Sequence, residues 1–136
     1  MIDDVYLNKS AIIRRCLKRI QEEFRDDPAR LENFTIQDAI VLNILRSCES
    51  AIDLAMHLVA ERRLGVPQSS RDAFAMLETA GILSTSCSRS MMRMCGFRNI
   101  AVHNYQEMEK PILLAILQSN LSDFEAFLDE LNRSPR

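Results

Sequence analysis

In the stretch GFRNIAVHNY, Gly96 to Tyr105, an arginine, an asparagine, a histidine and a tyrosine fall within eight positions. If the segment is helical, a rotation of about 100° per residue puts Asn99 and His103 on one face, about 40° apart. Arg98 and Tyr105 also share a face if the helix continues that far. Ile100, Ala101 and Val102 are then expected to anchor the segment in the core. A permanent cation, an imidazole and an amide would emerge together from a buried helix end. Breaking an RNA phosphodiester without a metal needs the 2′-hydroxyl deprotonated, the leaving 5′-oxygen protonated and the phosphoryl charge stabilised. Histidine suits the proton transfers, and arginine holds a phosphate through two parallel hydrogen bonds. One chain offers a single histidine at this place, so the constellation is half a site. A two-fold dimer pairing the motifs would complete it. On these residues alone, a structural arginine and a capping histidine are the better account of so short a motif.

Other groups carry less. Glu49, Asp53, His57 and Glu61 recur at four-residue intervals on one expected helix face. Di-iron carboxylate bundles use paired Glu-x-x-His elements, which this chain lacks, so a solvated or groove-lining face is the favoured reading. Cys16, Cys48, Cys87 and Cys95 form no CxxC pair and sit at no metal-ligand spacing with His57 or His103. They read as buried thiols of a reducing compartment, and no metal site follows from them. The seven methionines, Met91, Met92 and Met94 among them, read as core filling or subunit interface.

The elements that must position these groups are helical. Three glycines, four prolines and long runs of Leu, Ile, Met and Ala favour helices over strands. A first helix is predicted from about Asp4 to Arg25, stopped at Asp26-Asp27-Pro28. A long second helix should start near Thr35, with Thr35 to Asp38 as its capping signature, and end at Leu64-Gly65. Ser69 or Ser70 caps a short third helix that Gly81 terminates. Ser84 or Ser86 opens a fourth, leading into the motif. Lys110-Pro111 begins a fifth, with Leu113, Leu114, Leu117, Leu121, Phe124, Leu128 and Leu131 as its packing face. The fold expected is an all-α bundle of about five helices, with residues 1–136 forming a single domain. Apolar content of 47% against 26% charged residues suits a globular chain, and the net charge of −2 disfavours a general nucleic-acid binder. No apolar run is long enough for a membrane span, and the first residues lack the pattern of a secretory leader, so a cytoplasmic location is expected.

With these residues in view, the sequence resembles the HepT-like branch of the HEPN superfamily, which supplies the toxins of HepT/MntA toxin–antitoxin systems. Arg98, Asn99, His103 and Tyr105 occupy the family pattern of Arg, a polar residue, a few apolar residues, His, one residue and Tyr. The likeness extends upstream through AMHLVAERRLGVPQSSRDAFAMLETAGIL and, less specifically, into the Leu-rich last helix. It spans about Ala51 to Leu131, while the first fifty residues match only in helical character. Asn104 stands where the family often has an acid. The resemblance implies a HEPN-like bundle that dimerises around an RNA-cleaving groove, with Arg98 and His103 as the catalytic pair and Asn99 supporting them. With His103 handling protons and Arg98 holding the phosphate, no metal or other cofactor is expected. The resemblance also implies an MntA-like nucleotidyltransferase antitoxin, which silences the toxin by transferring AMP to Tyr105, within a homodimer or a larger hetero-oligomer. The alternative is a non-catalytic HEPN module that binds a nucleotide or a protein partner and keeps the motif for structure.

Overall fold

The computed structural model describes residues 3–103 and 110–134. These contain six α-helices and no strand. The first helix, α1, runs Asp4–Phe24 and begins where the Asp3 carboxylate accepts the Tyr6 amide at 2.8 Å. It ends because Arg25 and Asp26 both turn to the left-handed region, each at φ 53°. The segment beyond is not plain loop, since Pro28–Glu32 closes a 3-10 turn seated on Leu31. Proline in the first turn gives up no amide that the turn needs.

Helix α2, Phe34–Glu61, is the spine of the fold. Its N-cap is Asn33, whose Oδ1 accepts the Ile36 amide at 3.1 Å, rather than the expected Thr35 to Asp38 signature. With Asn33 as the cap, Phe34 and Thr35 both join the helix. Arg63 (φ 54°) and Gly65 (φ 129°) unwind its far end, and α3 follows at Ser70–Thr79, capped by Ser69 as expected. Helix α4 covers Thr85–His103. Ser84 caps it, its Oγ accepting the Cys87 amide, and Glu130 grips Ser84 through both its amide and its hydroxyl at 2.7 and 2.8 Å.

The expected fifth helix is two. α5, Lys110–Ala115, passes through a π-helical turn, Ile116–Asn120, into α6, Ser122–Arg133. The wider turn takes up extra chain while Leu113, Ile116, Leu117, Phe124, Phe127, Leu128 and Leu131 all stay buried. That stripe closes one shared core with Ile13 and Ile20 of α1, Ile40, Ile44, Leu54 and Leu58 of α2, Phe74 and Leu77 of α3 and Met91 of α4. Burying each large apolar side chain contributes roughly 1.5–3 kcal/mol against chain entropy. Phe74 and Phe127 meet edge to face, with centroids 5.6 Å apart. The Tyr6 hydroxyl donates to the Leu128 carbonyl at 3.1 Å, tying the first helix to the last. No described helix is long and apolar enough to cross a membrane.

Candidate active site

Helix α4 carries the motif, and its inward face explains where the polar residues go. Met94, Phe97 and Ala101 are buried, at spacings of three and four that keep them on one side. Arg98 and Asn99 follow Phe97 by one and two positions and therefore swing outward, Arg98 half-buried and Asn99 exposed. Of Ile100, Ala101 and Val102, all three expected to anchor the segment, one does so. Ala101 is buried, but Ile100 and Val102 are 39% and 51% exposed. Three consecutive helical residues fan across about 200° and cannot all face one core. An apolar rim therefore flanks the motif on its open side.

Arg98 is held from α2. Its Nε donates to Glu49 Oε1 at 2.6 Å, and its Nη1 donates to Asn99 Oδ1 at 3.3 Å. The Glu49 carboxylate raises the Arg98 pKa further, so the cation is permanent. Beyond these two bonds the guanidinium keeps Nη2 and the second Nη1 hydrogen, on the edge opposite Nε. This is the edge that a phosphate can grip with two parallel bonds. Behind it, Cys48 donates from Sγ to the Met94 carbonyl at 3.8 Å, and burial pushes its pKa up to about 12. Cys95 is raised for the same reason, and Cys87 is pushed up to about 12. All four cysteines are buried free thiols, and these three are poor nucleophiles. At Gly96 an added Cβ would stand 3.0 Å from the Arg71 guanidinium, whose flexible end would have to shift slightly.

The acidic face of α2 is neither simply solvated nor a paired carboxylate centre. Glu49 holds Arg98, Asp53 holds Lys9 at 3.0 Å, and His57 lies between Asp3 and Glu61 at 2.9 and 3.0 Å. Burial opposes ionisation of Asp3, but bonds from the Tyr6 amide and His57 outweigh it and keep that carboxyl below its ordinary range. Asp3, His57 and Glu61 place their donor atoms within 4.8 Å of one another, a set with the chemistry of a divalent-cation ligand group. Sequence spacing did not bring Asp3 to it, since Asp3 arrives from the N-cap of α1. His57 lies eight residues from Glu49, about 12 Å along the helix, so this cluster is not part of the Arg98 site.

Of the residues expected to act together, the structure brings Arg98 and Asn99 into contact and adds Glu49. Periodicity had placed Glu49 on a face without showing what that face met. His103 is the last described residue of α4 and stands one turn beyond Asn99 in the helix, while its side chain, with Asn104 and Tyr105, lies outside the described residues. Replacing Glu49 with Ala should leave the helices intact but let the guanidinium rotate. An ion pair this exposed is worth up to about 1 kcal/mol, so phosphodiester cleavage should fall on the order of fivefold. Steady-state kinetics beside a circular-dichroism melt checks this, and an unchanged rate would show that Glu49 does not orient Arg98.

Comparison with known proteins agrees with this architecture. Residues 13–131 match the family described as Ribonuclease HepT-like. The chain is 43% identical over 128 residues to the mRNA nuclease HepT of Shewanella oneidensis, covering 94% of this chain and 96% of that one. A solved structure of the tri-AMPylated Shewanella oneidensis HEPN toxin in complex with its MNT antitoxin superposes with a TM-score of 0.92 at 41% identity, covering 98% and 100% of the two chains. A toxin–antitoxin structure with AMP-PNP gives the same TM-score and identity over 97% of this chain and 100% of that one. A buried helical core, an outward Arg98–Asn99 pair and likeness over nearly the whole length agree, and the chain belongs to the HepT-like ribonuclease family.

Proposed function

We propose that this protein is the toxin of a toxin–antitoxin system, a metal-independent endoribonuclease whose site is completed across a homodimer. The observation that carries the proposal is the Arg98 side chain, fixed by Glu49 through Nε and by Asn99 through Nη1 on the outward side of α4, with further Nη hydrogens beyond these two bonds. In this reading Arg98 holds the scissile phosphate and neutralises charge on its equatorial oxygens. His103 removes the 2′-hydroxyl proton, and the partner copy's histidine protonates the departing 5′-oxygen. Asn99 steadies the arginine through its Nη1 contact. The product then carries a 2′,3′-cyclic phosphate, and no divalent ion takes part.

Dimerisation is supported by the incomplete acid–base set of one chain and by Ile100 and Val102, exposed apolar side chains beside the motif. Residues 1–136 are read as a single domain, since the described helices share one core. An MntA-like nucleotidyltransferase antitoxin is proposed as partner and AMP on Tyr105 as the silencing mark, because the similar toxin is AMPylated and complexed with its MNT antitoxin. A system of this kind acts on cellular RNA, so the site of action is the cytoplasm. Light scattering and RNA cleavage on one purified sample test the shared site. The expected result is twice the chain mass together with cleavage. A strictly monomeric protein that still cut RNA would contradict it.

A further inference from the structure

A groove of about 410 Å³ lies between α1 and α2, lined by Ile12, Arg15, Cys16, Arg19, Asn43 and Arg46. Three guanidinium side chains border it, and no carboxylate does. That is a local concentration of positive charge in a chain whose formal net charge is −2. Arg19 is engaged by Glu23, 2.6 Å from its Nη1, but Arg15 and Arg46 have no ion-pair partner among the described residues. Exposed arginines usually find a neighbouring acid or scatter around a helix. Here they converge from two helices onto one trough.

The trough lies on the side of α2 that carries Glu49. Arg46 stands three residues before Glu49, so the two share one side of α2, and Glu49 is the residue that holds Arg98. The helices run antiparallel, as the Asp3–His57 and Lys9–Asp53 pairs show. On α1, Arg15 and Arg19 are about 6 Å apart along the axis, with Arg46 facing them from α2. This arrangement suits a linear polyanion passing over the Arg98 site rather than a single compact anion. Arginine contacts to phosphate position a strand without reading its sequence.

We propose that the α1–α2 groove is a backbone subsite for single-stranded RNA, in which Arg15, Arg19 and Arg46 hold phosphates flanking the one at Arg98. The inference rests on the ribonuclease reading above. It makes these arginines positioning residues, which act on substrate affinity and not on bond breaking.

The test compares wild type with Arg15→Gln/Arg46→Gln and with Arg89→Gln/Arg93→Gln, two arginines 140–180° around α4 from Arg98 by about 100° per residue. A fluorescent 2′-O-methyl oligoribonucleotide, which lacks the nucleophile, reports binding by anisotropy over a salt series. Unmodified RNA reports cleavage. The α1–α2 double variant should bind about tenfold more weakly. Its slope of log affinity against log salt should be shallower by about 1.4 per strand, from two lost contacts at ~0.7 each. KM should rise while kcat at saturation stays the same. Arg15→Lys/Arg46→Lys should restore most of the slope, which a fold defect would not allow, and the α4 control should match wild type.

If the wild type cleaves RNA but the α1–α2 variant binds with unchanged affinity and slope, the subsite is overturned and the ribonuclease reading stands. If the variant instead loses only its antitoxin, the trough docks protein and the proposal falls. A wild type that neither binds nor cleaves RNA removes both.

Discussion

Replacing His103 with Ala should lower RNA cleavage by two or more orders of magnitude, the scale of lost general acid–base catalysis. In a shared site each substitution removes both imidazoles of the dimer, so no residual proton donor is left in place. Arg98→Lys should fail almost as completely, and the structure says why a conserved charge is not enough. Arg98 uses Nε to hold Glu49 and one Nη1 hydrogen to reach Asn99, which leaves further Nη hydrogens for a phosphate. Lysine has one ammonium, which the Glu49 carboxylate would occupy, and it lacks the planar edge that binds two phosphate oxygens. Single-turnover cleavage of a labelled RNA separates this chemical defect from weaker binding. Activity within a few-fold of wild type in either variant would rule out the assigned roles.

The second large effect concerns silencing. Co-expression with an adjacent nucleotidyltransferase should add one or more AMP groups to the protein, on Tyr105, and abolish both toxicity and RNA cleavage. Tyr105 follows His103 by two positions, and on a helix it would share a face with Arg98. A phosphodiester placed there can occupy the Nη hydrogens of Arg98 and repel incoming RNA, so steric and electrostatic effects act together. If Tyr105 continues the helix on the Arg98 face, the adduct stays outside the core and the melting temperature should change little. Intact-mass and peptide mass spectrometry locate the adduct. Tyr105→Phe should remain toxic while escaping the mark. If it is neutralised as fully as wild type, with no added mass at Tyr105, control works by another route.

Much of the fold is legible in local chemistry. Asp3 caps α1 so that it starts at Asp4, Ser69 caps α3, Ser84 caps α4 and Gly81 follows the end of α3, each because one side chain or one left-handed backbone position decides the boundary. What periodicity misses is set by tertiary contact. The π turn at Ile116–Asn120 exists because α5 and α6 must both keep their apolar stripes on the same core. At the site, spacing pairs Asn99 with His103 and Arg98 with Tyr105, while the Arg98–Asn99 contact comes from the structure. Spacing could not show that Glu49 of α2 meets Arg98, since that pairing spans 49 residues. Nor could it place Asp3 beside His57 or gather Arg15, Arg19 and Arg46, because each grouping depends on how α1 lies along α2. The exposed Ile100 and Val102 were misplaced by counting apolar residues without following their angles around the helix.

The most direct measurement is product-end analysis of RNA cut by the purified protein in excess EDTA. The expected result is undiminished cleavage that leaves 2′,3′-cyclic phosphate ends, is blocked by 2′-O-methyl substitution at the scissile position and is absent with His103→Ala. Cleavage that stops when divalent ions are removed, or that persists in His103→Ala, would contradict a metal-independent site built on Arg98 and His103.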